Sequence, residues 1–155
     1  MAGDVICEET MVIHAPVETL RRFIKTPERI ADYYPGASGF GVFKAGHTFY
    51  CRGRAGTSLF EVLRDEPGFV TLRVWTAMRA KPPYAAEGLE RDAFFVMDED
   101  WRIEPEGEGG ARLTKTWRNL RKRKLRWLPM AMIVRRAIPD EAKKMVERWE
   151  LAARS

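Results

Sequence analysis

Three charged residues stand where the surrounding alternation is apolar. Glu9 falls in the set Val5, Cys7, Met11 and Ile13, Glu99 between Met97 and Trp101, and Lys115 between Leu113 and Trp117. Alternate residues of a strand share a face, so each charge faces the same way as large apolar neighbours. An isolated buried charge is very costly, whereas a paired one survives. Two carboxylates flanking one ammonium leave one acid with a shifted pKa, available to bind a hydroxyl or carbonyl or to move a proton. Glu9, Glu99 and Lys115 are therefore the candidate catalytic residues. Two arrangements would remove the chemistry: a bulge that turns these groups to solvent, or a structural ion pair that meets no ligand.

Other reactive groupings are poorly supported. His14 and His47 are the only histidines, and neither has an acid or nucleophile at motif spacing. No serine has a nucleophile-elbow context. GASGFG at 36–41 lacks the strand before it and the helix after it that a phosphate loop needs. Cys7 and Cys51 lack zinc or redox spacing and fit a reduced, cytoplasmic protein. No cofactor and no metal are expected.

These groups must be carried by 155 residues, enough for a single domain over 1–155. Five Trp, eight Phe and seven Met supply a core with a cavity inside it. MAGDVICEET does not read as a signal peptide, and no run approaches the ~20 apolar residues of a membrane span. The net charge of +5 permits an anionic partner without showing one.

Val5 to Ile13 reads as a strand. Pro16 and Glu18 open a helix with Val17, Leu20, Phe23 and Ile24 on one face. Thr26-Pro27-Glu28 starts a second, short helix carrying Ile30, Tyr33 and Tyr34, stopped by Pro35-Gly36. Strands follow at 48–54, 57–64, 69–76, 93–104 and 111–117, with turns at Ala55-Gly56, 65–68 and 105–110 and a long loop at 77–90. Ile138, Ala142, Met145, Trp149 and Ala152 then mark one face of an amphipathic helix. Pro139 either kinks a longer helix from near Trp127 or opens a separate one. Strands bracketed by helices imply an α+β fold.

This order resembles the START-like helix-grip superfamily (SRPBCC), the clan of the polyketide cyclase/dehydrase and lipid-transport proteins. The similarity rests on MVIHAPVETLRRFIKTPERIADYYPG at 11–36, FEVLRDEPGFVTLRV at 60–74 and WRIEPEGEGGARLTKTW at 101–117. It implies a curved seven-stranded antiparallel sheet wrapped around the long C-terminal helix, with two short helices after the first strand and a cavity between sheet and helix. In that order the first strand neighbours the last, and the last neighbours the penultimate. Glu9, Lys115 and Glu99 are then side by side on the cavity floor.

Hairpin partners share a face. A turn at Ala55-Gly56 pairs Cys51 with Phe60 and Phe49 with Val62. The next turn pairs Val62 with Val70 and Phe60 with Leu72. The expected ligand-binding set is Tyr33, Tyr34, Phe49, Phe60, Leu72, Val74, Phe95, Met97, Glu99, Trp101, Lys115, Trp117, Met145 and Trp149, with Ile138 also on the helix face. Tyr33 and Tyr34 would stand at the cavity opening.

The run RNLRKRKLRW at 118–127 sets Arg118, Arg121, Lys122, Arg123, Lys124 and Arg126 between the last strand and the helix, just before Trp127, Leu128, Met130, Met132, Ile133 and Val134. It suits a solvated loop, or docking of residues 118–134 on an anionic membrane surface. Nucleic acid is not expected, since no binding motif accompanies the charge. The sequence assigns no oligomeric state. Three readings follow. The first is a binder of a hydrophobic small molecule such as a lipid, isoprenoid, polyketide or aromatic compound. The second is a polyketide cyclase/dehydratase-type enzyme using a buried carboxylate. The third is a lipid carrier or accessory subunit peripheral to the membrane.

Overall fold

Alternation of period two builds the sheet. The computed structural model describes residues 4–122 and 129–155. Its strands are β1 (Val5–Ile13), β2 (Gly39–Lys44), β3 (Thr48–Gly53), β4 (Gly56–Glu66), β5 (Phe69–Ala77), β6 (Phe95–Glu106) and β7 (Gly110–Lys122). They form one antiparallel sheet in the order β1-β7-β6-β5-β4-β3-β2. Helices α1 (Val17–Ile24) and α2 (Pro27–Ala31) follow β1, α3 (Ala86–Asp92) precedes β6, and α4 (Met130–Ala153) ends the chain. Bulges at Val62/Arg64 and Val96/Asp98 locally bend and twist the long strands.

The expected seven-stranded α+β architecture is the one observed, with corrections of detail. The β3–β4 turn lies at Arg54-Ala55, because Gly53 pairs with Gly56. Phe49 therefore meets Phe60 rather than Val62, and Cys51 meets Ser58 rather than Phe60. Across the next turn Phe60 meets Val74 and Val62 meets Leu72. Both shifts are of two residues, so every side chain keeps its face. The loop expected at 77–90 contains the start of α3, whose Leu89 packs with Leu59, Trp75 and Val96 on the convex side of the sheet. β7 runs five residues past Trp117, to Lys122, because it pairs with all of β6 up to Phe95. α4 is a single helix through Pro139; residues 123–128 and the side chain of Ile138 lie outside the described residues.

The concave face holds the main core. At one end it is solid. Trp149 of α4 stacks on Trp101 of β6 with centroids 5.9 Å apart and meets Phe23 of α1 edge-on at 5.7 Å. Trp149 Nε1 also donates to the Arg29 carbonyl oxygen at 2.9 Å. Phe49 stacks on Phe60 at 5.1 Å. These contacts leave the remaining volume at the other end, where α4 begins.

Candidate functional site

The filled end decides where the pocket is. A pocket of about 160 Å³ lies between α4 and the central strands. Its walls are largely apolar, from Phe60, Val74, Phe94, Phe95, Met97 and Trp117. Pro35, Ala55 and Ile133 contribute to it and are exposed, so they form its mouth. Tyr34 is held at that mouth by Gly53 of β3, where any Cβ would collide with the tyrosine ring.

Polar groups enter the pocket in two places. Towards β4 and β5 the Tyr34 hydroxyl shares a 2.5 Å hydrogen bond with Ser58 Oγ, which in turn bonds Thr76 Oγ1 at 2.8 Å. Across the pocket stand Tyr33, Glu99, Lys115 and Glu141. Lys115 Nζ lies 3.5 Å from Glu99 Oε1, and Lys115 is only 3% exposed. Its ammonium faces the rings of Tyr33, Trp101 and Trp117 at 4.6, 4.5 and 4.4 Å. Ring faces carry partial negative charge, so three of them replace part of the lost hydration. The register explains the assembly: Trp101 lies opposite Lys115, and Glu99 opposite Trp117.

Among the described residues, three polar atoms in this region are buried without a hydrogen-bond partner: Glu99 Oε2, the Tyr33 hydroxyl and Trp101 Nε1. Leaving such an atom dry costs about 1–3 kcal/mol. Burial raises the Tyr33 phenol well above its ordinary value, so it stays protonated and can donate. The Glu141 carboxyl is pushed up to about 7, first by burial; Lys115 and Lys144 pull it back and Glu99 pushes it further up. Burial also raises Cys7, and pushes the Cys51 thiol up to about 12, so both thiols stay protonated at neutral pH.

Glu141 carries a stability consequence. Its folded pKa is raised, so between about pH 4.5 and 7 the folded chain holds a proton that the unfolded chain has released. Stability falls as pH rises through that window and levels off above it. Glu141→Gln removes the penalty. The variant should melt higher than the parent at pH 8, by at most about 3 kcal/mol equivalent, with the difference vanishing near pH 4.5. Equal melting differences at both pH values would show that Glu141 titrates as an exposed acid.

The sequence-derived set divides. Tyr33, Tyr34, Phe60, Val74, Phe95, Met97, Glu99, Lys115 and Trp117 line the pocket. Phe49, Leu72, Trp101 and Trp149 are core behind it, and Met145 borders a sliver of about 10 Å³ beside Glu141 and Met11. Glu9 pairs with Lys115 in the β1–β7 ladder. It is half-buried and makes no hydrogen bond or ion pair among the described residues, so the acid bonded to Lys115 is Glu99 alone. Glu141 takes the place expected of Glu9 as the second carboxylate. Its spacing from Ile138 and Met145 put it on the buried helix face; that was the available signal. Pro35, Ala55, Ser58, Thr76, Phe94 and Ile133 are the other lining residues outside the expected set.

The basic run is also redistributed. Arg118, Arg121 and Lys122 belong to β7 rather than to a connection. Arg118 is committed to Asp100 at 2.5 Å and lies 3.9 Å from Asp98. Arg123, Lys124, Arg126, Trp127 and Leu128 lie outside the described residues. Met132 and Ile133 are each 45% exposed on the first turns of α4. Among the described residues no helix is long and apolar enough to cross a membrane.

No family model matches the chain, and no curated protein matches its sequence. Solved structures match its fold. A START superfamily protein from Mycobacterium smegmatis superposes with a TM-score of 0.69 at 13% identity, over 94% of this chain and 97% of that one. The Zhui aromatase/cyclase of Streptomyces gives 0.61 at 13% identity, over 93% and 92%. Human STARD10 gives 0.58 at 14% identity, over 92% of this chain and 62% of its own. At these identities the likeness is one of fold, and the fold alone fixes no activity.

Proposed function

The chain has the START-like helix-grip fold, and from that premise we propose that it binds a small, mostly apolar molecule in the pocket, with a polar group of that molecule turned towards Glu99, Lys115 and Glu141. One observation carries the reading: an apolar pocket whose polar wall holds a buried ion pair and unpartnered polar atoms. Ligand sites have this composition, with few polar groups fixing the orientation of an apolar body. The volume of about 160 Å³ sets the scale. It suits one substituted ring or the end of a longer molecule entering past Pro35 and Ile133, and falls below the roughly 300–1,000 Å³ of drug-sized sites.

Native mass spectrometry of freshly purified protein should show a bound small molecule that is released on activation. Acetophenone, a single-ring probe with one carbonyl, should quench the emission of Trp117 at the pocket wall. Val74→Phe fills the pocket from β5 and should weaken that response at least tenfold while the chain stays folded. No co-purified mass together with no response to the probe would leave the pocket as imperfect packing. A cyclase- or dehydratase-type activity is the second reading, favoured by the presence of Glu141 beside an ammonium inside the pocket.

A further inference from the structure

We propose that the pocket moves a proton at a carbon next to a carbonyl group, with the Glu141 carboxylate as the base and the Lys115 ammonium and Tyr33 hydroxyl as the donors that hold the enolate oxygen. The proposal rests on the binding reading above, and its substrate class is a ring-sized ketone or thioester with an acidic C–H.

Three elements bring these groups to one wall. Tyr33 follows α2, Lys115 lies on β7 and Glu141 on α4, and all three line the same space. The two carboxylates have different positions. Glu99 is bonded to Lys115, so its charge is already answered. Glu141 has no hydrogen bond or ion pair among the described residues, so it is the freer acceptor for a proton. A base for neutral conditions works best with a pKa near the operating pH, and burial places Glu141 there. The charged and titratable groups around it are Lys115 on β7, Glu99 on β6, Tyr33 and Tyr34 after α2, Cys7 on β1 and Lys144 on its own helix.

On the donor side, the Tyr33 hydroxyl is buried and unpartnered among the described residues, and the Lys115 ammonium lines the same pocket with Glu99 Oε1 3.5 Å away. Fixed donors in a site that excludes water stabilise a developing oxyanion far more than water does. The step balances without a co-reactant. The C–H bond breaks as its proton passes to a Glu141 carboxylate oxygen. The electron pair becomes the C=C bond of the enolate, and the carbonyl π pair moves to oxygen, where Lys115 and Tyr33 donate. The Glu141 carboxyl exchanges that proton with solvent through the pocket mouth, and transfer of the replacement proton, or a deuteron in D₂O, to the enolate carbon restores the ketone.

Proton exchange reads this step directly. The protein is mixed with acetophenone in D₂O, and loss of the methyl signal is followed by NMR, with Trp emission recorded in parallel to show binding. The parent should exchange the methyl protons at least 100-fold faster than buffer, with a rate that rises with pH and levels off above neutrality. Glu141→Gln should still bind and lose about 100-fold or more in rate, with no remaining inflection near pH 7. Tyr33→Phe, which keeps the ring against Lys115, should lose tenfold or more. Binding without exchange above buffer overturns the proton transfer and leaves the binding reading standing. Glu141→Gln exchanging as fast as the parent overturns the assignment of the base. If Glu141→Gln does not fold, a parent rate without an inflection near neutrality overturns the proposal by itself. Absence of binding sinks both readings for ring ketones.

Discussion

Lys115→Met destabilises the protein by about 3–5 kcal/mol, because it leaves the Glu99 carboxylate buried without its partner. Glu99 is 4% exposed, and its second oxygen has no hydrogen-bond partner among the described residues. Methionine keeps most of the aliphatic stem and packs well against rings, so contacts with Tyr33, Trp101 and Trp117 largely survive. The loss therefore reports the stranded charge and the lost cation–ring attraction rather than a cavity. For a domain of this size it corresponds to a fall in Tm of about 6–20 °C. The double variant Lys115→Met with Glu99→Leu removes both charges together and should return to within about 1 kcal/mol of the parent, since an ion pair replaced by apolar groups of similar volume is often neutral. Chemical denaturation of the parent, both single variants and the double variant gives the coupling. A cost below about 1 kcal/mol for Lys115→Met would mean that Glu99 is already neutral or reached by water.

Trp149→Ala should cost about 3–5 kcal/mol, a large part of the stability of an ordinary domain. This side chain is fully buried, and it joins α4 to α2 through the Arg29 carbonyl and to α1 and β6 through Phe23 and Trp101. Arg148, also on α4, donates to the backbone carbonyl of Asp32, which caps the C-terminus of α2. Trp149→Phe keeps the ring contact and loses the hydrogen bond, so it should cost only about 1–2 kcal/mol. Because Trp149 lies behind the pocket wall, Trp149→Phe should leave acetophenone quenching within about twofold of the parent. Weaker binding of tenfold or more in Trp149→Phe would mean that the filled end and the pocket form one deformable space.

Much of this was legible in the chain. The inward set of β6, Phe95, Met97, Glu99, Trp101 and Ile103, is buried as expected, although Val96 and Asp98 on the opposite face are buried too, and the faces of β3, β4 and β5 survive two register errors because those errors were even. Glu99 and Lys115 stand out as charges on an apolar alternation, and the structure buries them together. Other features were hidden for physical reasons. α3 is seven residues long, too short for its periodicity to show against a Pro- and Gly-rich loop. Glu141 shares the helix face of Met145, but an acid beside such a stripe also marks the solvent edge of an amphipathic helix. Glu9 carried the same alternation signal as Glu99, yet it lies on the open edge strand β1, where one side of the ladder is unpaired and burial is partial.

The sequence by itself determined most of the residues that point inward, because the two-residue period of a strand is a local property of the backbone; Val5 is the exception, 57% exposed with Ile6 buried in its place, where the ladder shifts between Val5 and Cys7. Only the tertiary structure decided which of those residues meet. Trp149, Trp101 and Phe23 close one end, so the pocket opens at the other. Glu141 rather than Glu9 joins Glu99 around Lys115. Contacts of that kind depend on how far side chains from separate strands and helices reach across a shared space, and on which volumes they fill first.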